Sequence, residues 1–199
     1  MYVLRTLNTM IPRGAARSAA ILDAALQVLI RDGYDRFSMD SVAAQAHASK
    51  TTIYRRWGNK AELVKATLDA HDANFNDDIP DTGTLRTDLI ATLSTLRRKA
   101  EAVPPTLYSD LLRAMEHDAA LTEAIRRHLT DTSLSPFDVP LSLAISRGEV
   151  SANVDRELIH DVAEAMLTHR LTLGEPLDDA FVTRLVDDVL LILIRSETR

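Results

Sequence analysis

Seven polar side chains within twelve residues, Ser49, Lys50, Thr51, Thr52, Tyr54, Arg55 and Lys60, carry most of the chemistry this chain advertises. They are cations, hydroxyls and a phenol, the groups that neutralise phosphates and reach base edges. Lys50, Thr51 and Arg55 are the candidates for base reading: Lys and Arg address guanine O6 and N7, and a threonine methyl meets a thymine methyl. Ser49, Thr52, Tyr54 and Lys60 are the candidates for holding the sugar-phosphate backbone, with the positive end of a helix opening at Lys60 aimed at a phosphate. Arg56 is placed to reach a phosphate from the rim.

Two short helices joined by a tight turn must position these groups. Ser38 is a suitable N-cap for a helix with apolar positions Met39, Val42, Ala43 and Ala46. Ser49 caps a second helix, Lys50–Trp57, in which Ile53 and Trp57 stand at i and i+4 and face inward while the polar set faces out. Trp57 reads as core rather than as a stacking platform. A preceding helix beginning near Gly14 carries Ile21, Leu22, Ala25, Leu26, Val28 and Leu29 on one stripe and stops at Gly33; Phe37 closes this small core. Arg5, Arg13 and Arg17 belong either to a merely solvated tail or to an arm that touches phosphates or a minor groove.

Residues 37–63 resemble the helix-turn-helix of the tetracycline-repressor (TetR) family, whose pattern runs roughly T-x-x-x-I-A-x-x-A-G-V-S-x-x-T-L-Y-x-x-F-x-x-K-x-x-L. Ser38, Val42, Ala43, Ala46, Ser49, Thr52, Ile53, Tyr54, Trp57, Lys60 and Leu63 occupy its marked positions. The turn departs from it, with His47 for glycine and Ala48 for valine, so a non-glycine residue must take a left-handed conformation. RGEV (residues 147–150) and HRLTLGEPLDDAFV (residues 169–182) resemble C-terminal segments of the same family. The resemblance implies a double-stranded DNA operator, a small-molecule effector, and a homodimer built from the last two helices of each subunit. It implies a repressor; a constitutive DNA binder or a dimeric interaction protein is the alternative.

The rest of the chain reads as amphipathic helices, so the fold expected is all-α: a three-helix reading domain over residues 13–65 and a larger effector-binding and dimerisation domain over residues 66–199. Breakers at residues 76–84, Pro104-Pro105, Gly148 and Gly174 separate the helices, and the helix opened by Asn59-Lys60 runs to about Phe75 as the link between the parts. Mostly apolar positions with a few polar ones, Phe75, Leu89, Leu93, Leu107, Tyr108, Leu111, Met115, Met166, His169 and Arg170, are the candidate effector lining. His169 and Arg170 serve either a polar ligand group or an acidic residue across the dimer. Ile159, Val162, Ala163, Met166, Phe181, Leu185, Val189 and Leu193 are the candidate dimer interface.

Composition limits the alternatives. The net charge is −6, yet residues 1–65 hold ten Lys/Arg against five Asp/Glu and the remainder thirteen against twenty-four. A basic end meets phosphates while an acidic body stays solvated. There is no cysteine, hence no disulfide frame or thiolate metal site. The longest apolar run, residues 189–194, falls far short of the ~20 residues needed to span a bilayer, and the start has no signal-peptide pattern, so a cytoplasmic location is expected. His117, Asp118, His128, His160 and Asp161 form no catalytic motif, so neither an enzyme, a metal nor a cofactor is expected.

Overall fold

The computed structural model describes residues 13–76, 81–104, 106–130 and 135–196, with side chains at 14–74, 81–104, 106–130 and 135–195; Arg5 and the side chains of Arg13 and Phe75 lie outside these. The described residues contain helices and no strand. In order these are α1 (Arg13–Arg36), α2 (Met39–Gln45), α3 (Lys50–Trp57), α4 (Lys60–Asn76), α5 (Leu85–Glu101), α6 (Thr106–Met115), α7 (Ala119–Leu129), α8 (Asp138–Ser146), α9 (Arg156–Leu173) and α10 (Asp179–Leu185). A π-helical turn (Val186–Leu190) then leads into α11 (Leu191–Ser196).

Local chemistry sets most of these boundaries. The side chains of Ser38, Ser49, Thr84, Asp118, Asp155 and Asp178 each accept a hydrogen bond from a backbone N–H in the first turn of the next helix. Gly33 breaks the end of α1 with φ 69°, a conformation that favours glycine, and a Cβ there would lie 3.2 Å from an Asp110 carboxylate oxygen.

Two apolar clusters organise the packing. One gathers α5 and α8–α11 around the fully buried Leu89, Leu93, Leu141, Ile159 and Leu185. The other gathers α1–α4 around Ile21, Leu29, Ile53 and Leu63, and it continues without a break into Leu107, Leu111, Leu121 and Ile125 of α6 and α7. The apolar packing therefore does not divide at residue 65. Polar ties run along the same lines: Arg127 pairs with Glu62 at 2.5 Å and Lys99 with Asp72 at 2.6 Å, fastening α7 and α5 to α4. In the other cluster Arg147 pairs with Asp81, Glu149 and the fully buried Asp88, locking the turn after α8 onto the start of α5.

Candidate functional site

The turn between α2 and α3 has the form the sequence demands. His47 is the sole non-glycine residue with positive φ among the described residues, at 48°, and the Arg17 guanidinium donates to its carbonyl oxygen at 2.7 Å. Arg17 thus braces the turn from α1. Ser49 and Thr52 share a hydroxyl contact of 2.7 Å, and the Thr52 N–H donates to Ser49 Oγ, so the Ser49 hydroxyl caps α3 and the Thr52 hydroxyl is held against it. Ile53 is fully buried, and Trp57 is half-buried against the same cluster.

The outer face of α3 carries Lys50, Thr51, Tyr54 and Arg55, all exposed, with Tyr54 at 49%. Lys50 is not unattended: its ammonium lies 2.6 Å from the Asp40 carboxylate in the first turn of α2, which holds its pKa above the ordinary lysine value. Arg56 turns back instead of outward, donating to the Gly14 carbonyl and to the Ser18 hydroxyl, and so ties α3 to the start of α1. Lys60 also departs from the expected ridge. Its ammonium sits 3.9 Å from the Tyr34 ring centre and 3.4 Å from the Asp35 carbonyl oxygen, and burial pushes its pKa down. An ammonium over an aromatic face is attracted by the ring's negative quadrupole. At the start of α4 the remaining anion-directed feature is the backbone, with Asn59 capping the Glu62 N–H at 3.0 Å.

Beyond the reading head, α4 walls one side of a cavity of about 90 Å³. Leu107, Tyr108, Leu111 and Met115 line it as expected, all from α6. The other expected lining residues do not. Leu89 and Leu93 are fully buried in the α5–α8–α11 cluster, Met166 packs against that cluster, and His169 is exposed. Arg170 lies over the Phe181 ring at 4.4 Å and pairs with Glu175 at 3.4 Å within the same chain. Sequence reasoning missed the polar end of the cavity: His71 and Asp72 on α4, Lys99 on α5, His128 on α7, and Glu164 and Thr168 on α9. The signal was present in α9, whose 164 and 168 positions form a polar strip four apart.

Helix α9 has three faces. Ile159, Ala163 and Leu167 enter the core of their own chain; Glu164 and Thr168 face the cavity; Leu158, Ala165 and His169 are exposed, with Val162 half-buried beside them. On the last helices Phe181 and Leu185 are likewise internal, while Ile192 is 58% exposed. Ile159, Ala163, Phe181 and Leu185 are therefore corrected from interface to protomer core, because a stripe of width three fixes which helix is apolar but not which neighbour its centre meets. Leu158, at 39% exposure, Leu173 and Ile192 are outward apolar residues outside the expected interface set.

A capped two-helix reading unit with an exposed cationic and hydroxyl ridge, packed through α1 and α4 onto an all-helical body with a cavity, defines a helix-turn-helix DNA-binding protein. Residues 21–67 match the family described as bacterial regulatory proteins, tetR family, and residues 79–189 match the tetracyclin repressor-like C-terminal domain. The chain belongs to the TetR family and is a DNA-binding transcription regulator. It is 76% identical over 190 residues to the DNA-binding transcriptional repressor TetR of Mycobacteroides abscessus, covering 96% of this chain and all of that protein. It is 32% identical over 189 residues to an uncharacterized HTH-type transcriptional regulator, Mb1581, of Mycobacterium bovis, covering 92% of this chain and 90% of that one. The crystal structure of the TetR family regulator SCO0332 superposes with a TM-score of 0.68 at 30% identity, covering 87% of this chain and 96% of that one. These relatives are transcription regulators, not enzymes. Among the described residues no helix is long and apolar enough to cross a membrane.

Proposed function

We propose that this protein is a homodimeric cytoplasmic repressor that binds a near-palindromic operator and is released from it by a small-molecule effector held in the cavity behind α4. The observation that carries the reading is continuity: the same α4 whose first turn packs on α3 through Leu63 supplies Leu68, His71 and Asp72 to the cavity wall. The 76% identical relative named as a repressor supports the sign of regulation.

The size of the cavity supplies a mechanism. At about 90 Å³ it is smaller than the ~300–1,000 Å³ of sites that enclose drug-sized ligands. An effector of that size has to part the walls, and displacing α4 changes the spacing of two reading heads that must meet major grooves about 34–36 Å apart. Effector and operator then favour different conformers, which is the coupling a repressor needs. The outward stripes of α9 and α11, with Leu158, Val162 and Ile192, provide the surface for the partner subunit, and Met166, Val189 and Leu193 are half-buried beside it.

Binding of the purified protein to the DNA upstream of its own gene, followed by fluorescence anisotropy across a salt series, tests the reading. Specific, salt-sensitive binding that a small molecule abolishes is the expected result. Binding that no effector alters leaves a constitutive DNA binder, and salt-insensitive or absent binding leaves an interaction protein.

A further inference from the structure

The charge inventory of the cavity is lopsided. Its apolar part is built from α1, α4, α6 and α7, with Leu26, Leu68, Leu111 and Ile125 among its walls, and its polar end from α4, α5, α7 and α9. Two of the basic groups at that end face carboxylates of the same chain. The Lys99 ammonium lies 2.6 Å from Asp72, and the His128 ring is 2.8 Å from Asp69 and 3.6 Å from Asp72. The third, His71, is pushed below its ordinary pKa chiefly by burial, so its ring is neutral near pH 7.

Glu164 is different. It lines the cavity, and its contact among the described residues is a 3.4 Å hydrogen bond from the Thr168 hydroxyl, with no cation paired to it. Tyr108 lies near both Asp72 and Glu164, and burial together with those two carboxylates pushes its phenol pKa up, so it stays neutral. A neutral phenol and a carboxylate beside an apolar chamber are a complement to a positive head on an apolar body: the carboxylate supplies the ion pair, the ring face a cation–π contact. An anionic head would meet Glu164 as a like charge and would have to displace Asp72 from Lys99.

We infer that the effector cavity selects lipophilic amines, with the Glu164 carboxylate and Tyr108 receiving the positive head and the leucine-rich walls receiving the apolar body. The inference rests on the cavity being the effector site, but it makes a claim about ligand charge that is measured without DNA.

Octylammonium, octanol and octanoate share one chain and differ in the head, so they isolate charge. Isothermal titration calorimetry on the full-length protein alone should show octylammonium binding about tenfold or more tightly than octanoate, with octanol between. Glu164→Gln, nearly isosteric and partly solvated, should weaken octylammonium about tenfold and leave octanol unchanged, with an unaltered melting temperature showing that the fold is kept. Octanoate binding as well as octylammonium overturns the inference, as does an unchanged amine-to-alcohol ratio in Glu164→Gln, or no binding of any of the three in the millimolar range. If octylammonium binds as described yet leaves operator affinity untouched, the charge preference stands and it is the effector-release reading that fails.

Discussion

The Tyr34 hydroxyl donates a 2.7 Å hydrogen bond to the carboxylate of Asp118, a residue 84 positions later that also caps α7 through the Leu121 N–H at 3.0 Å. One carboxylate thereby fastens the end of α1 to the start of α7, and the Lys60 ammonium rests against the same Tyr34 ring. Removing the hydroxyl leaves Asp118 short of one partner. Tyr34→Phe should destabilise the protein by about 1–2 kcal/mol, the range for a bond to a charged acceptor that water partly replaces, read as a lower urea midpoint with an unchanged slope. Stability equal to wild type would mean that the contact is not formed in solution.

On the proposed reading, the exposed ridge makes two kinds of contact with DNA. Arg55→Ala should cost about 1–3 kcal/mol on the operator and relax preference at one base pair, whereas Tyr54→Phe should weaken binding to all sequences alike. Binding measured on the operator and on single-base variants separates them. Lys60→Ala belongs to neither class, because that ammonium packs on Tyr34; it should lower stability as well as affinity. Identical profiles for all three variants would overturn the sorting.

Asp40 presents a carboxylate 2.6 Å from the Lys50 ammonium. On the proposed reading, the operator competes with that carboxylate for the same ammonium. Asp40→Asn should raise affinity for DNA of any sequence and steepen the dependence of log K on log salt by about one counterion. A salt slope identical to wild type would remove Asp40 from the account of affinity.

Acid should loosen the body before the reading helix. The Asp118 carboxyl is held below its ordinary range by the Leu121 N–H and then by Tyr34. For Asp88 burial alone pushes upward, but hydrogen bonds from Thr82 and Arg147 outweigh it; for Asp69 burial is likewise outweighed by His128 and Lys65. A depressed folded-state value means stabilisation that is complete above the ordinary carboxylate range of about 4 and is lost as pH falls through the lowered values. Urea unfolding at neutral pH and at successively lower pH should show this decline, and Asp88→Asn should flatten it. A stability that rises on acidification would contradict the ion-pair assignments.

Assembly is tested at the outward stripe. Ile192→Lys, at a position that is 58% exposed in the protomer, should leave helix content intact and shift the sedimentation behaviour from dimer toward monomer. Operator affinity should drop with it, since each head alone contacts one half-site. A variant that remains dimeric places the interface elsewhere.

The features legible in the sequence were those that local chemistry decides. Ser38 and Ser49 as caps, Gly33 as a stop and Ile53 as the inward residue of α3 come from side chains acting within one or two turns, and each stands where expected. The left-handed His47 came from a single missing glycine. Tertiary choices were not legible in the same way. Leucines four apart such as Leu89 and Leu93 announce burial, but not whether the neighbour is a cavity or a core. The reverse happened with Asp72, Lys99, His128 and Glu164: they lie on four separate helices, and only the meeting of α4, α5, α7 and α9 gathers them at one end of a chamber. The π-helical turn at Val186–Leu190 adds a residue to the last helix and rotates α11 relative to α10, so a uniform helical count over residues 179–196 could not place Ile192 outward and Leu185 inward together.

The uninterrupted apolar packing from Ile53 and Leu63 into Leu107, Leu121 and Ile125 bears on how such proteins can be recombined. A chimera cut at residue 65 and grafted onto a foreign body would bring half of a fitted seam and meet a stranger's leucines on the other side. Exchange of sequence preference in this scaffold is thus simpler by rewriting the few outer residues of α3, which stand exposed on the head, than by transplanting the whole head.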